Sequence, residues 1–379
     1  MTPQVKRLGL AVLIPAALIT VVALIWLWPR GGTGQADQPA APRQVNGQVL
    51  AIEKAPCPPG APQMVTVCGT VDVRLSDGPD AGQRVTTDIP IGPGAPALHT
   101  GDRVVLMHLP DSANGRPYQV TDHQRGPQLW ILGLALAAAV IGFGRWRGLT
   151  ALAGLAVSFA VLLLFIVPAI LAGKPPLLVA IVGSAAIMLT VLYLTHGFNA
   201  ATSVAVLGTL ASLTLTGVLA AVATAATHLS GVASEDTSYL NIAFHQVNMR
   251  GLLLAGILIG ALGVLDDVAV TQAATVAELA RANPALGARE LYRAASRIGR
   301  AHIASVVNTI ILAYAGASLP LLLLLAAGNR PLQQVLTSQN LAEELVRSAV
   351  GTIGLVAAVP ITTALAALAG RYQVAPRSA

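Results

Sequence analysis

Charge is what this chain has least of. Asp, Glu, Lys and Arg together make up 11% of its 379 residues, against about 25% in soluble globular domains. Aromatic residues are sparse as well, at 4%, and there are two cysteines, Cys57 and Cys68. Two cysteines exclude a disulfide-dense scaffold and a thiolate metal site. Also missing are a Walker A loop, His-Glu-x-x-His, Gly-x-Ser-x-Gly and a dinucleotide fingerprint. The familiar enzyme motifs therefore give no foothold, and the chain reads as a non-enzyme with no cofactor. Its net charge of +6 does not indicate nucleic acid, because no basic run carries interleaved aromatics.

What fills the space is apolar sequence, 54% of the chain. Runs of roughly 20 apolar residues, the length that crosses a bilayer, fall at 8–28, 129–144, 148–171, 176–195, 200–222, 251–271, 302–326 and 348–369. The expectation is a polytopic α-helical membrane protein of about eight spans. The first span is read as an uncleaved anchor, because its apolar core outruns the h-region of a signal peptide, about 7–15 residues. Placing the N-terminus inside puts Lys6, Arg7, Arg145, Arg147, Arg281, Arg289, Arg293, Arg297, Arg300, Arg371 and Arg377 on that side. The short loops on the opposite side then hold Lys174, Arg250, Arg330 and Arg347, an asymmetry in the direction of the positive-inside bias.

Between the first two spans the grammar changes. A Gly/Pro/Ala/Gln-rich linker at 31–43 leads into alternating runs over 44–125. Strands are expected at 45–52, 64–67, 70–75, 83–89 and 102–107, with Thr100-Gly-Asp-Arg-Val introducing the last. This predicts a small extracytoplasmic all-β domain of OB or SH3 type. The membrane domain would occupy 126–371 and a cytoplasmic tail 372–379. Outside the cell Cys57 and Cys68 could form a disulfide, or remain two thiols.

Two further helices are expected to lie along the membrane surfaces. Asn283-Pro284 suits a helix start, after which Arg289, Arg293, Arg297 and Arg300 form one stripe and Leu291, Ala295, Ile298 and His302 another. Residues 331–347 form a second amphipathic candidate.

Two motifs carry a family resemblance. They are Tyr118-x-Val-x-Asp122-x-x-Arg125 and the block from Arg250 through Gly256, Gly260, Gly263, Asp266, Asp267, Thr271 and Gln272 to Glu278. On these the chain resembles the YibE/F family of bacterial multipass membrane proteins. The resemblance implies a membrane core in the plasma membrane with an extracytoplasmic N-terminal domain, and it names no substrate.

The chemistry, if any, lies in the second block. Gly256, Gly260 and Gly263 suit close packing of a neighbouring helix. At about 100° per residue, Asp267, Thr271 and Glu278 share a sector, while Asp266 points to a different neighbour. Carboxylates with a hydroxyl between them offer oxygen ligands for a hard cation or a proton path. If the helix enters the membrane near Arg250 the aspartates lie in the inner third of the bilayer; if it enters earlier, near Leu240, they emerge at the cytoplasmic surface as interfacial charges. His302 and Asn308 on the next span are candidate counterparts, or interhelical hydrogen-bonding groups. The leading reading is a transporter or permease for an ion or small solute. The alternative is a scaffold or accessory subunit whose outer β-domain binds an envelope partner. An intramembrane hydrolase is disfavoured, since adjacent aspartates on one helix diverge whereas a carboxylate dyad must converge.

Overall fold

A computed structural model describes residues 3–30, 43–57, 68–92, 94–110, 115–328 and 331–371. The chain separates into two compact units, residues 37–143 and a second made of 1–36 with 144–379. The expected strand at 64–67, most of the linker and the tail at 372–379 lie outside the described residues.

The smaller unit contains an antiparallel sheet of five strands, β1 (Arg43–Ala55), β2 (Cys68–Leu75), β3 (Arg84–Asp88), β4 (Arg103–His108) and β5 (Tyr118–His123), in the order β3-β2-β1-β4-β5. Strand alternation aims Val45, Val49, Val71, Val73, Val104, Leu106, Tyr118 and Val120 into one core, as a period of two dictates. The register is pinned by close packing. A Cβ on Gly47 would meet the Val73 side chain at 2.5 Å. Gly69, at φ +139°, lies where a Cβ would strike the Glu53 carbonyl at 2.0 Å. Thr87 of β3 donates to the Tyr118 carbonyl of β5, and Arg116 pairs with Asp88, so the two edge strands are drawn together. Thr100-Gly-Asp-Arg-Val introduces β4, not the last strand. The final position belongs to β5, where Tyr118 and Val120 point inward.

The larger unit is helical. Six helical runs in the described chain are long and apolar enough to cross a membrane: Gly126–Leu171, Pro176–His196, Ala200–Ala226, Met249–Ala282, Ala288–Ala317 and Gln339–Ala369. The first comprises α2 (Gly126–Val161), a π-helical segment at Leu162–Ile166 and α3 (Val167–Leu171). Arg145 interrupts α2 at φ 51°, ψ −126°, between the expected stretches 129–144 and 148–171, which fall within one apolar run. Pro168 has no N–H to give the carbonyl four residues back, and the wide π turn directly precedes it. The N-terminal helix α1 (Pro3–Leu27) packs Leu27, 1% exposed, beside Phe165 and Ile166.

Next come α4 (Pro176–His196) and α5 (Ala200–Ala226), joined by a turn at Gly197, φ +75°. The Asn199 side chain caps α5 by accepting from the Thr202 amide at 2.9 Å. A short helix α6 (Glu235–Ala243) precedes α7 (Met249–Ala282). The rest is α8 (Ala288–Ala317), α9 (Leu319–Ala327), α10 (Leu332–Leu336) and α11 (Gln339–Arg371).

Two expectations are corrected here. The basic amphipathic segment and the following span are one helix, α8, which starts four residues past Pro284. Its start is fixed by Glu290, whose carboxylate accepts from the Gly287 amide at 2.8 Å, while Asn283 ends α7 and accepts from Ala285. Likewise 339–347 is not a separate surface helix but the first turns of α11.

Candidate functional site

The helix carrying the acidic block starts at Met249, with the Asn248 side chain accepting from the Gly251 amide at 2.7 Å. Leu240 belongs to the separate short helix α6. Gly251 lies against Pro176 at the start of α4, a Cβ there falling 3.2 Å from the proline ring. Val179 and Met249 share one core cluster, and Leu192 shares another with Leu262 and Leu265. The two helices therefore run parallel. Asp266 and Asp267 lie roughly 22–24 Å along the axis from Gly251 at 1.5 Å per residue, about a turn before α4 ends at His196.

The two aspartates part company, as their offset requires. Asp267 is exposed, whereas Asp266 is half-buried and its Oδ1 is fully enclosed without a hydrogen-bond partner. Asp267 continues an exposed strip through Gly263, Gly260 and Gly256 on one side and Glu278 on the other, with Thr271 half-buried. Among the described residues, Gly256 and Gly263 seat no neighbouring helix. A Cβ on Gly256 or Gly263 would meet nothing within 4 Å, and one on Gly260 only the Tyr314 hydroxyl at 3.2 Å. Glu278 is paired with Arg281 at 3.0 Å, both exposed. On α8, His302 is half-buried with an enclosed, unpartnered Nε2, and Asn308 is exposed. Among the described residues no hydrogen bond or ion pair joins His302 or Asn308 to either aspartate. The expected convergence of α7 and α8 on one cluster is not drawn.

The sequence reading missed a polar seam on the other side of α7. Gln272 is 0% exposed; its Oε1 accepts from Thr363 Oγ1 of α11 at 2.9 Å and its Nε2 has no partner. Gly299 of α8 leaves room for that amide, since a Cβ there would come within 2.8 Å of Nε2. Thr362, beside Thr363, meets Gly208 of α5 so closely that a Cβ would lie 2.2 Å from its Oγ1. Farther along, Thr216 of α5 faces Gly354 of α11 in the same way, at 2.0 Å. Thr209, Ser212, Thr216 and Thr224 of α5 are all fully buried. The seam ends near the start of α11 at Glu343, buried and accepting from Gln339 Nε2 at 3.2 Å. Oγ1 of Thr209, Thr224, Thr352 and Thr362 and Oγ of Ser212 have no hydrogen-bond partner. A wheel projection of α7 held the signal for Gln272, which falls a whole number of near-turns from Leu258 and Leu265, both buried.

The basic stripe is present on α8. Arg289, Arg293, Arg297 and Arg300 are exposed, while Leu291, Ala295 and Gly299 are buried. In the β-unit, Cys57 and Cys68 are joined by a disulfide. A cavity of about 680 Å³ opens beside Asp102, Arg103, His123 and Arg125. Asp102 accepts from the His99 amide at 2.8 Å, and the two imidazoles of His99 and His123 lie 3.6 and 3.9 Å from the same oxygen. Asp122 and Arg125 bond to each other at 2.5 Å. That bond, then the His123 amide, holds the Asp122 carboxyl below its usual range, and Asp122 raises Arg125. Tyr118 is pushed up to about 12 by burial and by the Asp80 carboxylate that its hydroxyl donates to at 2.5 Å. Among the described residues no cluster of His, Cys, Asp or Glu is arranged to hold a metal ion.

Comparison with known proteins narrows this to a family. No curated protein and no solved structure matches the chain. The model of the YibE/F-like protein family matches residues 132–371, which takes in every helix from most of α2 to the end of α11. With six helices of membrane-spanning length and composition among the described residues, this is a multipass membrane protein, and the chain belongs to the YibE/F-like family.

Proposed function

We propose that the bundle is a transporter or permease for an ion or small solute, with Asp266 as its central ligand. The observation that carries this reading is the enclosed, unpartnered Oδ1 of Asp266, with Asp267 next to it. A carboxylate in such a place costs several kcal/mol unless a proton or a cation occupies it. With Gly251 taken as the point of membrane entry, a rise of about 22 Å keeps Asp266 within a hydrocarbon core of roughly 30 Å. The exposed strip of Gly256, Gly260, Gly263 and Asp267 offers one approach, with the Asp267 carboxylate on it. The Ser/Thr seam between α5 and α11, running from Glu343 to Gln272, supplies a second line of polar atoms. His302 and Asn308 belong to the mechanism only if α8 moves toward α7.

The membrane in this reading is the bacterial plasma membrane, with both termini cytoplasmic and the β-unit outside. The excess of arginine on one set of helix ends supports that orientation, and so does the disulfide. A second reading, a scaffold or accessory subunit, is favoured by the cavity beside Asp102 and Arg103. We read the β-unit as an OB-type barrel. Support comes from the neighbours β1-β2-β3 and β1-β4-β5 together with the Thr87–Tyr118 contact between β3 and β5. Such a barrel would offer that cavity to an envelope partner.

A carbodiimide, which attacks protonated carboxyls in apolar surroundings, tests the first reading on the full chain in nanodiscs. Labelling should fall on Asp266, vanish in Asp266→Asn, and slow when the transported ion or solute is added. A rate indifferent to pH and to every ion and solute tried would leave Asp266 without a ligand and sink the proposal.

A further inference from the structure

We propose that the groove between the first turns of α8 and the last turns of α11 binds the headgroup of an anionic phospholipid. It is a cavity of about 340 Å³, lined by Arg289, Tyr292 and Arg293 on α8 and by Ala364, Ala367 and Leu368 on α11. That volume is at the small end of ligand sites, which run to roughly 300–1,000 Å³. It suits a phosphodiester and its glycerol, leaving the acyl chains to lie along the helices outside.

Charge sets the sign of the ligand. Arg289 and Arg293 stand one turn apart, both exposed. Among the described residues neither has a carboxylate within ion-pair distance. The acid closest in sequence, Glu290, is turned to the Gly287 amide at 2.8 Å and does not neutralise them. Two guanidinium forks at this spacing match the oxygens of one phosphate, the geometry in which arginine surpasses lysine.

The opposite wall identifies the source of that phosphate. Ala364, Ala367 and Leu368 sit in the closing turns of an apolar helix that ends at Arg371, and Leu368 is 57% exposed. Apolar surface at a span's end, directly beside unpaired arginines, is where a lipid changes from chain to headgroup. A free phosphate would gain nothing from that wall. The groove is also preformed: Leu291 and Ala295, on the reverse face of the same α8 turns, are buried with Ala366 and Ala367 of α11. The inference needs the helices to lie in a membrane, but not that the bundle carries a solute.

The test is lipid retention by the purified full chain, read by native mass spectrometry after exchange with phosphatidylglycerol or phosphatidylcholine. The wild type should keep phosphatidylglycerol in preference to phosphatidylcholine. R289Q/R293Q should lose that preference by about tenfold or more, as expected for two lost phosphate contacts. R297Q/R300Q, on the same helix outside the groove, should keep it. Equal retention of the two lipids by the wild type would overturn the proposal without recourse to any variant. So would an equal loss in both double variants, which would reveal diffuse attraction to the stripe. Displacement of the lipid by millimolar inorganic phosphate would also overturn it, in favour of a free-anion site.

Discussion

At the scale of single residues, the informative ones are polar groups enclosed without partners. Gln272 spends one amide oxygen on Thr363 and leaves its Nε2 bare at 0% exposure. An unpaired buried amide is a cost of about 1–3 kcal/mol, so a purely structural Gln272 would be a poor choice. Gln272→Leu, similar in volume, is therefore expected to hold or raise the melting temperature of the detergent-solubilised chain while lowering flux. A fall of several degrees with flux intact would show the amide to be packing alone. Tyr118 makes the opposite case, a buried hydroxyl spent well on Asp80. Because its pKa is raised to about 12, the protonated tyrosine is favoured in the folded state. Its stabilisation is whole below pH 10 and lost as pH climbs from about 10 to about 12. Tyr118→Phe should cost about 1.5–3 kcal/mol at neutral pH, seen as faster hydrogen exchange in β4 and β5. It should also flatten that alkaline loss.

At the scale of elements, close approach is set by glycine facing threonine. Gly354 against Thr216 and Gly208 against Thr362 bring α11 and α5 together along the polar seam, the small-residue packing that membrane helices use in place of a hydrophobic drive. Gly354→Leu has no room, with Thr216 Oγ1 2.0 Å from the new Cβ. Overpacking of this kind costs about 1–3 kcal/mol, readable as a lowered melting temperature in detergent. Gly256→Leu, facing open space, should leave the melt unchanged. This inverts the sequence reading, in which the glycines of α7 were the packing residues. The period of a helix says which residues share a face, but the partner of that face is a tertiary fact. Hydropathy marked the apolar helices because apolar length is a local property, and six of the described helical runs are long and apolar enough to cross a membrane. It failed at the junctions, fusing nothing across Arg300–His302 and starting α11 too late, because both helices continue as amphipathic turns. The strand β5 was legible: Tyr118 and Val120 alternate with Gln119 and Thr121. It was passed over because it is short and stands so close to the next span.

At the scale of the whole molecule, the chain is a multipass membrane protein with a disulfide-bearing β-unit, and sidedness can be tested through that bond. After mild reduction of intact cells, a membrane-impermeant maleimide should label Cys57 and Cys68. Labelling only after lysis would place the β-unit inside. Replacing both cysteines by serine should cost about 3 kcal/mol, the scale for closing a loop of roughly this length. The loss should appear as faster exchange in β1 and β2. The family was legible in the block from Arg250 to Glu278, which lies within the matched residues 132–371, because it is a string of residues. The role of Asp266 was not, since helical geometry separates two adjacent aspartates without telling which of them is enclosed. The most direct test of the account is flux through proteoliposomes holding the full chain, measured across a panel of ions and small solutes. The account predicts one of these to move, with Asp266→Asn abolishing the movement and Asp267→Asn reducing it, both variants folded. No flux of any of them above protein-free vesicles, or undiminished flux through Asp266→Asn, would contradict it.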